Sequence, residues 1–579
     1  MPAAAESMLD IHSRRISRTP SGVKDGAALA AARLPLALGL WPSLALSTLS
    51  GCTWFLSCTP FHLSALSWVA MVPVLFVLDR APTRARAILF SWWAGAVATA
   101  GGFYWLIELL RRFADLSSPA AFSLYLLFCV YQGIIFLLFG WAVRAIRRRY
   151  SLPIALLAPV AMVTCEWIVP LLFPFHLAIV QAWHPMVIQI ADLTGPLGVT
   201  ALLLMVNGAI YDFLTGGRRA ILPLLASAMV MAAALFYGYL RMQQMDALIV
   251  AAPKMAVGVV QPNVAYNLKG VRHPEQAQAQ LAALQEQSRE LASAGAELIV
   301  WSETSYPYVL RRDFASDFPL TSQSTIRTGF TTPLLMGALT RSFPDIRAYN
   351  SALLLDGNGQ VAGRYDKMRL LAFGEHVPGI ERFPWLRRYL PNGTGNFTPG
   401  SEAKVLPLVR PDGSTVKLGP VICYEDILPE FLRSVGALHP QLLVNITNDT
   451  WFGEKAEPWQ HLALAVFASV EQRTTMVRSV NSGVSAIIDP NGRVVNKTYA
   501  VDPYLHPRPA DKMLATVPLI EGGHTAYETV GNLFAYLCTV FTAVMWGASI
   551  YARRKGRESR TLQPTRGLRQ TPKEDLCRN

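Results

Sequence analysis

The chain has 579 residues, of which 52% are hydrophobic and only 16% charged, a mean too apolar for an ordinary soluble enzyme, so membrane spans come first. A formal net charge of +13 invites a nucleic-acid partner. The charge is unevenly placed, however: the stretch after Tyr551 holds nine basic residues against three acidic ones, and a basic tail abutting an apolar run suits an anionic lipid surface better than DNA.

In chain order, Arg14, Arg15 and Arg18 precede Leu34 in the manner of a signal peptide. No small-residue cleavage site follows, which favours a retained first helix. Apolar runs then predict eight spans, at Leu34–Ser50, His62–Leu78, Ala87–Leu110, Ala120–Val143, Leu152–Phe173, Leu197–Leu214, Ile221–Leu240 and Gly531–Tyr551. Basic clusters at Arg80/Arg84/Arg86, Arg144/Arg147/Arg148/Arg149, Arg218/Arg219 and the tail all fall on one side together with Arg14 and Arg15. The positive-inside rule therefore predicts cytoplasmic termini and an extracytoplasmic location for the segment between the seventh and eighth spans, the periplasm of a double-membraned bacterium. Arg111 and Arg112 are the exception, partly offset by Asp115. The expected domains are a basic N-terminal tail at 1–30, a membrane domain of seven helices at 31–245, a mixed α/β domain at 246–528, a final span at 529–552 and a basic tail at 553–579.

Glu166, in VTCEWIVP, is the costliest polar group within the spans. It either serves function or satisfies a neighbouring helix. His176 and Gln181 follow in an aromatic-rich outer loop.

The α/β segment opens with the strand pattern MAVGVVQPN, and Pro274 to Ala294 places Leu281, Leu284 and Leu291 on one helical face with Gly295 as the stop. AELIVW reads as a buried strand running into Ser302-Glu303-Thr304; Ser351–Tyr365 and Ser485–Lys497 read as hairpins; LLVNITNDTWFG gives a strand with a polar tip; and Pro458 to Thr475 reads as a helix. The fold class is thus a polytopic α-helical membrane domain of about eight spans plus a layered α/β domain whose sheets are not purely parallel.

Cys423, in GPVICYEDILPE, is the only thiol of the long polar segment, since Cys52, Cys58, Cys129, Cys165, Cys538 and Cys577 lie in or beside apolar spans or at the end of the chain. Glu303 follows one apolar strand, Lys367 follows a hairpin strand and Cys423 follows Val421-Ile422. Strand ends converge in a layered domain, and an acid, a base and a thiol are the minimum set for nucleophilic acyl transfer. Glu303 would accept the thiol proton, and Lys367 would favour the thiolate and then hold the oxyanion. Taken singly, each is more often a surface charge or a small core residue.

Four ordered strings change those odds: Trp301-Ser302-Glu303-Thr304, then Tyr365-Asp366-Lys367 leading into Phe373-Gly374-Glu375-His376-Val377-Pro378, then Ile422-Cys423-Tyr424-Glu425, then Asn448-Asp449-Thr450-Trp451-Phe452-Gly453. They resemble the motifs of the carbon-nitrogen hydrolase (nitrilase) superfamily. With spans on both sides, nearly the whole chain resembles the apolipoprotein N-acyltransferases within it. The resemblance implies an αββα sandwich carrying a Glu303–Lys367–Cys423 triad. Glu375 would position lysine and substrate, Tyr424 and Glu425 would support the nucleophile, and the Asn448–Gly453 loop with Trp451 would frame the acyl pocket. It further implies a two-step reaction at a bacterial inner membrane. Cys423 takes an acyl chain from a phospholipid, typically phosphatidylethanolamine, as a thioester, and the N-terminal amine of a diacylglyceryl-cysteine apolipoprotein accepts it. The sequence departs from the family pattern at Ser302, Ala372, Gly270, Phe175 and Thr529.

Two other function classes were weighed. A membrane-anchored nitrilase-type amidase would use the same triad with water as second acceptor, and a non-catalytic scaffold would have no reason to keep all three groups. The sequence carries no phosphate loop, metal-ligand spacing or nucleic-acid motif, so no cofactor, metal or nucleic acid is expected. A Cys52–Cys58 disulfide is less expected than two separate thiols. His461, on an apolar helix, is expected to be a satisfied packing residue rather than a ligand.

Overall fold

A computed structural model describes residues 37–561 except 113, 172, 174, 265–273, 373, 378, 381, 384, 386, 387, 389–395, 454, 455 and 501–510. The tail at 1–30, Gly270, Phe373, Pro378 and the 562–579 part of the basic tail lie outside the described residues.

The membrane half comprises α1 (Leu40–Ser57), α2 (Val72–Arg80), α3 (Arg84–Gly102), α4 (Leu106–Arg112), α5 (Ser118–Gln132), α6 (Ile134–Arg147), α7 (Ile154–Ile168), α8 (Pro196–Gly216) and α9 (Ile221–Ala251). Among the described residues three helical stretches are long and apolar enough to cross a membrane, Ser118–Arg147, Pro196–Ala251 and Leu533–Tyr551, and α3 with α4 makes a fourth if their 58° bend lies within one span. Pro196–Ala251 doubles back near Gly217 (φ +55), because Tyr237 of α9 hydrogen-bonds Asp192, just ahead of α8. Every expected span contains helix, but His62–Leu78 is not one rod. It is a short 3-10 turn at Ser64–Trp68 followed by the 9-residue α2, which has Pro73 in its first turn because proline suits that position and cannot continue an earlier helix. Nine residues rise only about 14 Å.

Glu166 is satisfied: its carboxylate accepts from Leu177 N (2.8 Å) and Thr200 Oγ1 (3.0 Å), with His176 Nδ1 3.6 Å away. Arg112 pairs with Glu108 (2.6 Å), one helical turn back.

The α/β half is a sandwich of two mixed sheets. The first runs β13 (Asp511–Pro518), β1 (Lys254–Gln261), β2 (Leu298–Trp301), β4 (Leu334–Ser342), β5 (Arg347–Leu355), β6 (Val361–Asp366), with β3 (Leu310–Arg311) on β4. The second runs β12 (Val494–Ala500), β11 (Gly483–Ile488), β10 (Met476–Val480), β9 (Leu442–Thr447), β8 (Thr415–Ile422), β7 (Leu406–Val409). Both expected hairpins are present, as antiparallel β5–β6 and β11–β12. The four residues of β2 are all buried, since α10 (Pro274–Ser293) covers one face, where Ser288 Oγ accepts from Trp301 Nε1 (2.9 Å), and the second sheet covers the other, where Ser479 Oγ donates to Val300 O (3.3 Å). Leu281, Leu284 and Leu291 face inward and Gly295 turns the chain at φ +93, as the sequence predicts. On the second sheet lie α11 (Pro429–Gly436) and α12 (Glu457–Gln472), and α13 (Leu533–Thr561) follows the domain.

The two halves are locked by polar contacts. Arg473, buried at the end of α12 in the left-handed region (φ +51), donates to Asp192 Oδ2 (2.7 and 3.0 Å) and Gln189 Oε1 (2.6 Å). Gln460 of α12 donates to Gly102 O (2.9 Å) and accepts from Trp105 Nε1 (3.0 Å).

Candidate active site

The ends of β2, β6 and β8 bring the three expected residues together. The turn after β2 holds Thr304 at φ +47. It fits only because Gly337 faces it: a Cβ there would lie 2.5 Å from Ser302 O and Thr304 N. Glu303 and Lys367 are both buried, with Lys367 Nζ 3.3 Å from Glu303 Oε1 and 2.8 Å from Glu375 Oε2. Cys423 opens a 3-10 turn, Cys423–Ile427, at φ +57, and remains partly exposed. A β-carbon at positive φ is strained, and the turn holds because Glu425 Oε2 accepts from Ile422 N (2.8 Å) and Asn445 Nδ2 donates to Cys423 O (3.0 Å).

Glu425 also ties the nucleophile turn to the lysine. Its Oε1 accepts from Tyr365 Oη (2.8 Å), Met368 N (2.8 Å) and Arg369 N (2.9 Å). Tyr424 Oη donates to Leu370 O (2.9 Å), and its ring centroid lies 5.7 Å from Lys367 Nζ. Glu375, besides pairing with Lys367, accepts from Leu371 N (2.9 Å). These residues set the position of Lys367 relative to Cys423 on two different sheets.

Burial would discharge Lys367, but the negative charge at Cys423, Glu303 and Glu375 outweighs it and holds the ammonium well above the usual lysine range. Burial pushes Glu303 upward, against the pull of Lys367. Cys423 is raised well above the ordinary thiol range by burial and by the Glu303 charge, which together outweigh the opposing effect of Lys367. Lys367 thus pulls Cys423 toward the thiolate, while desolvation and the Glu303 charge pull it toward the thiol.

Asn448 does not touch these groups. Its Oδ1 accepts from Thr450 N (3.2 Å) and Oγ1 (2.5 Å) and from Asn481 Nδ2 (3.1 Å), which shapes the Asp449–Phe452 turn. That turn meets the membrane half. Phe452 stacks edge-on against Trp105 at 5.4 Å, Trp105 against Phe173 at 5.9 Å, and Phe175 against Phe103 at 4.7 Å, with Trp451 packed on the same cluster. Among the departures, Ser302 is buried with its hydroxyl unpartnered, Ala372 bridges to His376, and Thr529 bonds Thr525 O (3.1 Å) within its own turn.

Two features escaped sequence reasoning. Asn350 of β5 donates through Nδ2 to Glu303 Oε1 (2.7 Å) and Glu375 Oε1 (3.0 Å). Behind Cys423, His461 donates to Asp449 Oδ1 (3.0 Å) and Asp426 Oδ1 (2.9 Å), and buried Arg478 pairs with Asp426 and with Asp449 Oδ2 (3.2 Å). Burial and Arg478 would discharge His461, but Asp426 and Asp449 raise it to about 10. Asp449, Glu457 and His461 converge closely enough to hold a cation. Two buried carboxylates against one imidazolium and one guanidinium already balance, and Glu457 is pushed well above the carboxylate range by burial. The signal for both features was a polar residue within an apolar strand, Asn350 in RAYNSALLL and Arg478 in MVRSV, since such groups persist in a core only when paired.

Residues 50–209 match the family described as the apolipoprotein N-acyltransferase N-terminal domain, and residues 256–500 match carbon-nitrogen hydrolase. An apolipoprotein N-acyltransferase of Rhizobium rhizogenes is 30% identical over 483 residues, 78% of this chain and 86% of that protein. One of Geobacter metallireducens is 28% identical over 525 residues, 88% of this chain and 95% of that protein. Among solved structures, a nitrilase-superfamily amidase from Nesterenkonia sp. AN1 is 16% identical, with a TM-score of 0.32, over 49% of this chain and 95% of that one. By the relatives that run through both of its halves, the chain belongs to the apolipoprotein N-acyltransferase family.

Proposed function

We propose that Glu303, Lys367 and Cys423 carry acyl transfer from a phospholipid to the N-terminal amine of a diacylated lipoprotein. Cys423 Sγ attacks the ester carbonyl as its proton passes to Glu303, and the Lys367 ammonium holds the oxyanion. The C–O bond breaks, Glu303 returns the proton to the departing lysophospholipid, and a thioester remains. The lipoprotein amine then attacks that thioester, gives its proton to Glu303 and releases Cys423. Asn350 and Glu375 position the charged pair, and Glu425 and Tyr424 hold the nucleophile turn against it.

The observation that carries this reading is the aromatic seam in which the Trp451-Phe452 turn meets Trp105, Phe173 and Phe175 of the membrane half. An amidase working on soluble amides needs no such seam, whereas an acyl donor resident in a bilayer does. The eight-span topology, the domain limits drawn from the sequence, a periplasmic catalytic half, cytoplasmic termini and phosphatidylethanolamine as the preferred donor belong to the same proposal. They are supported by the one-sided arginine clusters and by the placement of the sandwich between helices.

The test is purified protein given phosphatidylethanolamine with and without a diacylglyceryl-cysteine peptide. Acyl transfer to the peptide is expected, and Cys423→Ala should fold, form no thioacyl adduct and transfer nothing. Retained transfer in that variant, or turnover of simple amides unaffected by the peptide, would overturn the assignment.

A further inference from the structure

At the helix ends furthest from the catalytic half lies a second site that the acyl transfer does not use. A cavity of about 170 Å³ is lined by Arg144, Arg147 and Arg148 together with Asp79 and the apolar side chains Leu75 and Val143. It sits where α2 and α6 end and α7 begins. The neighbouring Asp212 is 16 residues along α8 from Pro196, about 24 Å from the end that adjoins the sandwich.

The arginines are only partly engaged. Arg144 donates through Nη1 and Nη2 to the carbonyls that end α2, at Leu78, Asp79 and Ala81 (2.5, 2.5 and 2.9 Å), while its buried Nε has no hydrogen-bond partner. Arg147 makes long ion-pair contacts, 3.4 Å to Asp79 Oδ1 and 3.8 Å to Asp212 Oδ1, and lies 5.4 Å from the Tyr211 ring centroid, and its buried Nη1 has no hydrogen-bond partner either. Each carboxylate is shared with another donor on its second oxygen: Tyr211 Oη donates to Asp79 Oδ2 (2.8 Å) and Ala155 N to Asp212 Oδ2 (2.9 Å). A buried N–H left unpaired costs about 1–3 kcal/mol, and two of them on arginines that line a cavity, with a third, exposed arginine at its edge, call for an acceptor carrying negative charge.

The surroundings fix which acceptor. Trp141, less than two turns before Arg147, packs on Trp546 of α13 at 4.8 Å, with the Arg84 guanidinium 5.7 Å from the Trp141 ring. Paired tryptophans beside arginines at the ends of apolar helices mark headgroup depth in a bilayer. An apolar wall with a basic rim suits a phosphate whose other end is a diacylglycerol. We propose that this cavity binds the phosphate oxyanion of an anionic glycerophospholipid, its oxygens held by the guanidinium groups of Arg144, Arg147 and Arg148. The lipid source rests on the membrane-spanning reading, whereas the oxyanion chemistry does not.

The test uses full-length protein with Cys423→Ala, so that no lipid is consumed, in detergent micelles, with binding read by native mass spectrometry and thermal shift. The probes are phosphatidylglycerol, phosphatidylethanolamine and inorganic phosphate. Phosphatidylglycerol is expected to bind and raise the melting temperature, more than phosphatidylethanolamine does. Arg144→Gln should abolish the effect but also removes the caps of α2. Arg148→Glu is therefore the second variant, because its side chain is exposed. It should weaken binding about thirtyfold, the removal and reversal of one charge at about 1 kcal/mol each on an anionic lipid. Inorganic phosphate competing with the lipid would uphold the site and name soluble phosphate as its source. Equal phosphatidylglycerol affinity in wild type and Arg148→Glu, or no binding of either anionic probe, would overturn the proposal. Acyl transfer is not the readout, so this site and the catalytic assignment fail independently.

Discussion

Replacing Asn350 by alanine isolates a contribution that no motif records. The side chain is buried, and its two N–H groups reach Glu303 (2.7 Å) and Glu375 (3.0 Å). Each bond to a carboxylate is worth about 1.5–3 kcal/mol. Only the bond to Glu303 acts directly on the proton acceptor, so its loss should slow thioester formation roughly tenfold to a hundredfold. The sign of the pH effect also follows. Donation from Asn350 opposes the upward push that burial exerts on Glu303, so its removal leaves the carboxylate harder to ionise. The acid limb of the pH–rate profile should then move to higher pH. Single-turnover thioacyl formation from a phospholipid, measured across pH with a melting curve to establish folding, checks both. A folded Asn350→Ala enzyme with wild-type rate and an unmoved acid limb would refute the view that this amide tunes the acceptor.

Two further outcomes are expected. Trp105→Ala removes a buried ring that holds Gln460 (3.0 Å) and faces Phe452 (5.4 Å), at a cost of about 3–5 kcal/mol in stability; alkylation of Cys423 by iodoacetamide should persist while acyl transfer from phospholipid falls, and equal loss of both would refute a lipid-side role. His461→Gln leaves two carboxylates facing Arg478 alone, which should cost about 3–5 kcal/mol. Because folding raises His461 from 6.5 to about 10, its stabilisation is fully present below about pH 6.5 and is lost as pH rises through about 10. Melting curves should show that alkaline decline in wild type, and its persistence in the variant would reject the ion-pair account.

Much of the fold was legible because its signals are local. Alternation and turn residues marked the two hairpins, the Leu281/Leu284/Leu291 stripe marked α10, and three charged or nucleophilic residues at strand ends marked the site. Glu425 and Tyr424 were read as supports from motif alone, yet which backbone groups they hold depends on a loop from the other sheet. Asn448 shapes the turn of its own loop through Thr450 and Asn481, a partner 33 residues on that no local pattern points to. The His62–Leu78 run was read as one span from composition, which is blind to Pro73 restarting the helix.

By itself, then, the sequence determined the apolar and globular halves, the strand and hairpin order, and which acid, lysine and thiol stand at strand ends, since each follows from neighbours within a few residues. Only the tertiary structure decided that Glu303, Lys367 and Cys423 meet, that Asn350 bridges two carboxylates, that His461 and Arg478 neutralise Asp426 and Asp449, and that Arg473 and Gln460 fasten the sandwich to the helices. Those outcomes depend on burial and on partners far apart in the chain. Desolvation and charge pairing act through space, and the linear order of residues does not specify the distances on which both depend.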